Sequence, residues 1–93
     1  MTVNTPQDSR RVPNLKTMFR FQWEPAQSCH VLLYPEGMVK LSTSAGEILK
    51  RVDGQRSVAL IIDDLKAAFG GAALDDDVRN FLAQAESNGW ITF

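Results

Sequence analysis

The sequence predicts an α+β fold: a three-stranded antiparallel sheet followed by three helices, winged helix-turn-helix-like. Three observations carry that reading. Phe19, Phe21 and Trp23 alternate with Arg20 and Gln22, the period-two pattern of a half-buried strand. Tyr34-Pro35-Glu36-Gly37 is a turn sequence set between two strand-like runs. From Ser44 onward the apolar spacing changes to that of helices, in three successive stripes.

In chain order, residues 1–14 read as a flexible polar N-terminal tail. Asn4 to Ser9, then Arg10, Arg11 and Pro13, offer little apolar surface against the entropy of ordering them, and Arg10 and Arg11 are read as solvated. A single domain is expected over residues 15–93. Its first strand starts near Phe19 and is interrupted by Glu24–Ser28, which contains Pro25. Cys29–Tyr34 forms the second strand; Val31, Leu32 and Leu33 are apolar on both faces, as in a central or covered strand. Proline then presets φ at the second turn position, glycine tolerates positive φ at the fourth, and Met38–Leu41 completes the hairpin.

Ser44-Ala45-Gly46-Glu47 has the form of a capping box, and Ala45, Ile48, Leu49 and Val52 follow as a helical stripe before Gly54. Ser57 caps the second helix, whose buried face is Val58, Ile61, Ile62, Leu65 and Phe69, with Gly70-Gly71 ending it. Asp75-Asp76-Asp77 opens the third, where the helix dipole is positive; Val78, Phe81, Leu82 and Ala85 share its inner face, and Asn88-Gly89 ends it. Trp90–Phe93 is too short for an element of its own, but Trp90 and Ile91 can close the core. The second and third helices have helix-turn-helix spacing, with the hairpin as wing.

Composition narrows the functions available. With 93 residues the chain has room for one domain, and a net charge of -1 gives no global pull toward nucleic acid or anionic lipid. The single cysteine, Cys29, excludes an intrachain disulfide and a cysteine-rich metal site. A free thiol and an N-terminus without the apolar core of an export signal suit the cytoplasm, and no apolar run is long enough to span a membrane.

Catalysis finds no foothold. His30 is the only histidine, and its neighbour Cys29 points to the opposite face of the strand, so the two do not form a nucleophile pair. The aspartates at 75–77 are explained by capping, Asp63-Asp64 by a solvated face, and Gly70-Gly71 lacks phosphate-loop spacing. A winged helix that read DNA would bring cations to its recognition helix; here that helix opens with three aspartates and carries only Arg79. A peptide adaptor fits better. Met38, Val39, Lys40 and Leu41 form the sheet edge if strand order follows chain order, and an extended peptide can add to such an edge. The periodicity of Val78, Phe81, Leu82 and Ala85 is that of core, so the groove beside them is only a candidate.

The segments Leu32-Leu33-Tyr34-Pro35-Glu36-Gly37, Ser44-Ala45, Ile48-Leu49 and Asp53-Gly54, continued by Val58, Ile61-Ile62, Leu65, Asp77-Val78, Phe81-Leu82 and Trp90-Ile91, resemble the PqqD family. The likeness spans roughly residues 15–93. It implies a leader-recognition domain of ribosomally made, modified peptides, acting as a peptide chaperone in pyrroloquinoline quinone (PQQ) biosynthesis. Such a protein binds the precursor peptide PqqA and presents it to the radical S-adenosylmethionine enzyme PqqE. The cofactors belong to that enzyme, and none is expected here. The resemblance further implies that the peptide adds antiparallel to the third strand at Met38, Val39, Lys40 and Leu41, packing against Val78, Phe81, Leu82 and Ala85. The stretch 16–23 is more apolar than the basic first strand associated with the family, which leaves room for self-association as a homodimer. The alternatives are a winged-helix DNA-binding protein, or an adaptor for a different modified peptide.

Overall fold

The computed structural model describes residues 9–93; of the tail expected over residues 1–14, the part over residues 1–8 lies outside them. In chain order the elements are β1 (Asn14–Leu15), β2 (Arg20–Glu24), β3 (Cys29–Tyr34), β4 (Gly37–Lys40), α1 (Thr43–Leu49), α2 (Val58–Ala68), α3 (Asp75–Ser87) and β5 (Ile91–Thr92). The expected three-stranded antiparallel sheet has the order β2-β3-β4, and three helices follow it.

The central strand earns its place by burial on both faces: Val31 and Leu32 are each fully buried. Leu32 joins Leu41, Ile48, Leu49, Ile61, Leu65, Val78, Leu82 and Ile91 in one apolar core, to which each helix contributes its inner stripe. Pro35 and Glu36 form the two-residue hairpin loop between paired Tyr34 and Gly37. Gly37 does not use positive φ, so the glycine argument for this turn fails; proline at the second position suffices.

Other expectations change in detail. The cap of α1 is Ser42, not Ser44: Ser42 has extended backbone angles and its hydroxyl accepts from the Ala45 N–H at 3.1 Å. Glu47 accordingly does not reach back. It pairs forward with Arg51 at 3.0 Å and Lys50 at 3.5 Å. The helix ends at Leu49, and Val52 packs against the core from the following turn. Ser57 caps α2 as expected, accepting from Leu60 N–H at 3.2 Å. Phe69, assigned to the buried face, is 49% exposed, because it is the C-cap residue and its backbone has left the helical path.

The largest difference concerns the two ends of the chain. Ile91–Thr92 is a strand, paired antiparallel with Asn14–Leu15. Residues 9–14, assigned to the polar tail, take part in this packing. Pro13 is fully buried, the Arg11 carbonyl accepts from Val58 N–H at 2.9 Å, and the Arg11 guanidinium sits 4.0 Å above the Phe93 ring. These are long-range contacts between short stretches, and neither stretch shows a periodicity of its own.

Candidate functional site

The register of the β3–β4 ladder determines what the sheet edge offers. Leu32 is opposite Val39 and Tyr34 opposite Gly37, and just beyond the strand Leu41 N–H donates to the His30 carbonyl at 3.0 Å. Hydrogen-bonded pairs recur at every second residue of an antiparallel ladder. Gly37, Val39 and Leu41 therefore turn their backbone groups toward β3. Met38 and Lys40 turn theirs outward, where β4 has no neighbouring strand among the described residues.

The same register assigns the side chains. Leu32 belongs to the core and its row mates Phe21 and Val39 pack against it. Successive residues alternate across a sheet. The rows Arg20–Leu33–Met38 and Gln22–Val31–Lys40 thus lie on the face turned away from the helices. Met38 is exposed, Lys40 is exposed, Val39 is half-buried and Leu41 is buried.

Beyond β4 the chain passes through Ser42 into a cavity of about 550 Å³ bounded by all three helices. Ile48, Leu65, Phe69, Leu74, Val78 and Phe81 make its apolar wall, and Ser42, Ser44, Glu47 and Asp77 supply the polar groups. Arg51 donates to the Glu47 carboxylate and holds its pKa below the ordinary value, with the Lys50 charge adding to the effect. The Asp53 carboxylate is lowered too, by backbone N–H donors of Arg56 and Gln55.

The structure therefore divides the eight expected site residues. Met38 and Lys40 present backbone at the edge, while Val39 and Leu41 present theirs to β3. Val78 and Phe81 line the cavity. Leu82 and Ala85 lie in the core, buried to 2% and 0%, and do not line it. None of residues 38–41 lines the cavity either; Ser42, next along the chain, joins edge to cavity. Phe69 and Leu74 were missed from the sequence. The available signal was Gly70-Gly71, both at positive φ, which turns the chain sharply away between them.

His30 is accounted for structurally. Its ring stacks on Phe21 at 4.7 Å and meets the Trp23 edge at 5.0 Å. A side chain at Gly46 would approach its Nδ1 to 2.9 Å, so the glycine lets α1 close onto β3. Among the described residues no group of three or more His, Cys, Asp or Glu is placed to hold a metal ion. Among the described residues no helix is long and apolar enough to cross a membrane.

The family model for "Coenzyme PQQ synthesis protein D (PqqD)" matches residues 29–91. Proteins named PqqA binding protein from Pseudomonas paraeruginosa and Azotobacter vinelandii are 58% and 54% identical over 81 residues, 86% of this chain and 88% of each relative. That of Rahnella aquatilis is 51% identical over 82 residues, 87% of this chain and 86% of its own. The solution NMR structure of the PqqD truncation of Methylobacterium extorquens PqqCD matches with a TM-score of 0.76 at 26% identity, covering 91% of this chain and 93% of that one. That protein is described as a functional, stand-alone recognition element for ribosomally synthesised and post-translationally modified peptides.

Proposed function

This chain belongs to the PqqD family, and from that membership and its open strand edge we propose that it is the peptide chaperone that captures the precursor peptide PqqA in PQQ biosynthesis. The observation that carries the mechanism is the bare edge of β4, with the outward backbone groups of Met38 and Lys40 beside a cavity walled by Val78 and Phe81. An extended leader peptide completes the ladder on this edge. Its apolar side chains on the helix side enter the cavity.

The protein works by binding and performs no bond chemistry of its own. Ordering a flexible leader costs conformational entropy, which backbone pairing and apolar burial offset. Held on the scaffold, the peptide is presented at high effective concentration to the modifying enzyme PqqE, whose iron–sulfur clusters and S-adenosylmethionine supply the reaction. The site of action is the cytoplasm. The second bare edge, on β2, is available for a homodimer contact.

The test is an isotope-edited NMR titration of the full chain with a synthetic PqqA-type precursor, with a random-sequence DNA duplex as control. Peptide-specific shifts at Met38, Lys40, Val78 and Phe81 are expected, with no response to DNA. A chain silent toward peptide but shifting along α3 with DNA would overturn the assignment and restore the winged-helix alternative.

A further inference from the structure

The cations that form ion pairs lie around the helices. Around the helices they are answered from within: Arg51 and Lys50 by Glu47, Arg56 by Asp53 and Asp64, Lys66 by Asp75. On the outward face of the sheet, Lys40 and Arg20 have no carboxylate within ion-pairing distance among the described residues. The register sets Lys40 beside fully buried Val31, with Gln22 beyond it, so no acid of the sheet lies in its row.

Lys40 is also one of the two residues whose backbone faces a strand added to β4. A residue directly opposite on that strand has its Cβ about 5 Å from that of Lys40, on the same face of the sheet. Opposite charges at such positions attract, and like charges repel. We propose that Lys40 is a specificity residue, which selects a peptide carrying an aspartate or glutamate directly opposite it in the added strand. The inference rests on strand addition to β4, and adds to it the chemistry of the peptide read there.

The rest of the peptide frame follows from the same register. Antiparallel pairing is the more stable ladder per residue and is the one β4 already makes with β3. In that direction the peptide runs from the Lys40 end toward the Met38 end. The residue after the acid faces half-buried Val39 on the helix side and is apolar. The next lies opposite exposed Met38 on the outward face and is apolar too. The residue before the acid is on the helix side, at the end where Ser42 leads into the cavity, and its side chain is the one positioned to enter. The peptide class is therefore apolar–acidic–apolar–apolar in N-to-C order. A lysine on an edge strand also guards against sheet-to-sheet aggregation; that role predicts no dependence on the peptide's sequence.

Calorimetric titration of the full chain with the synthetic PqqA-type precursor separates these cases. Each acidic residue of the peptide is replaced in turn by its amide and by lysine. Lys40→Gln is expected to weaken binding by about fivefold and Lys40→Glu by about tenfold or more. One acid-to-lysine peptide should recover the Lys40→Glu loss while binding wild type poorly. NMR of the same samples reports whether β4 is engaged. If β4 amides shift but Lys40→Glu binds every peptide as wild type does, the selectivity is overturned and strand addition stands. If β4 amides do not shift with the wild-type pair, strand addition fails and the selectivity falls with it. Rescue by every lysine peptide alike would mean attraction between net charges, which also overturns a single opposed pair.

Discussion

The helical half and the sheet half of this protein treat their polar groups in opposite ways. In the helices, Ser42 and Ser57 cap backbone donors and acids answer the flanking cations. Among the described residues, both outer edges of the sheet lack a neighbouring strand, Trp23 and Met38 are exposed, and Lys40 has no ion pair. The helices bury the apolar surface that stabilises the fold. The sheet contributes Leu32 to that core and leaves its edge unsatisfied. Strand addition, as proposed, needs this division, since an edge can be kept bare only where stability does not depend on it.

The widest contrast is expected between Leu82 and Phe81, adjacent on α3. Leu82 is core, and Leu82→Ala should destabilise the protein by about 3 kcal/mol, read from urea unfolding. Affinity for the precursor, corrected for the folded fraction, should be unchanged. Phe81 is partly buried and lines the cavity, so Phe81→Ala should lower the affinity of the folded protein. If both variants lost affinity equally after correction, α3 would not be divided into a core row and a pocket row.

Within β4 the register predicts a second contrast. Val39→Pro removes a donor that faces β3 and leaves the Leu32 carbonyl without its partner, at a cost of about 2 kcal/mol. Met38→Pro removes a donor that faces outward, so stability should fall by less than about 1 kcal/mol while precursor binding weakens by about tenfold. Thermal unfolding and calorimetric titration of the pair decide it. A Val39→Pro variant that stayed stable but lost binding would put the register one residue out.

These residues also show what was legible in the sequence. Alternation in Phe19, Phe21 and Trp23 and the stripes of α2 and α3 each report a face directly, so the order of strands and helices was readable. The cavity was not. It is walled by Phe69, which the stripe of α2 assigns to the core, by Leu74, which flanks a break between helices and belongs to no stripe, and by Ser42 and Ser44, of which Ser44 read as a capping residue alone. Which of Met38 and Val39 faces outward depends on hydrogen-bond phase, and the sequence carries the order of strands without that phase. The β1–β5 pair was hidden for a related reason: two residues per strand are too few to show a period.

The cap of α1 supplies a smaller test of the helical half. Ser42→Ala removes the hydroxyl that accepts from Ala45 N–H and should cost about 1 kcal/mol. Ser44→Ala leaves that bond in place, and its effect should stay within about 0.5 kcal/mol. Chemical denaturation of both variants compares them; equal losses would return the cap to the Ser44 box.

The smallest effect expected concerns Glu47, the counterpart of Lys40 in the helical half. Arg51 donates to its carboxylate and, with Lys50, keeps its folded-state pKa below the ordinary 4.5. For a carboxylate lowered in this way, the folded protein binds the proton less readily than the unfolded chain. The stabilisation is therefore complete above pH 4.5 and is lost as the pH falls through the folded-state value. An i,i+4 pair of this kind contributes about 0.5 kcal/mol. Glu47→Gln should lower the urea midpoint slightly at neutral pH, with the difference from wild type closing in acid. Asp53, lowered by its own backbone donors, keeps part of the acid dependence in both proteins, so the difference curve is the quantity to read. A gap that persisted at the acid end would mean that Glu47 acts through packing, and that its charge is no more answered within the fold than that of Lys40.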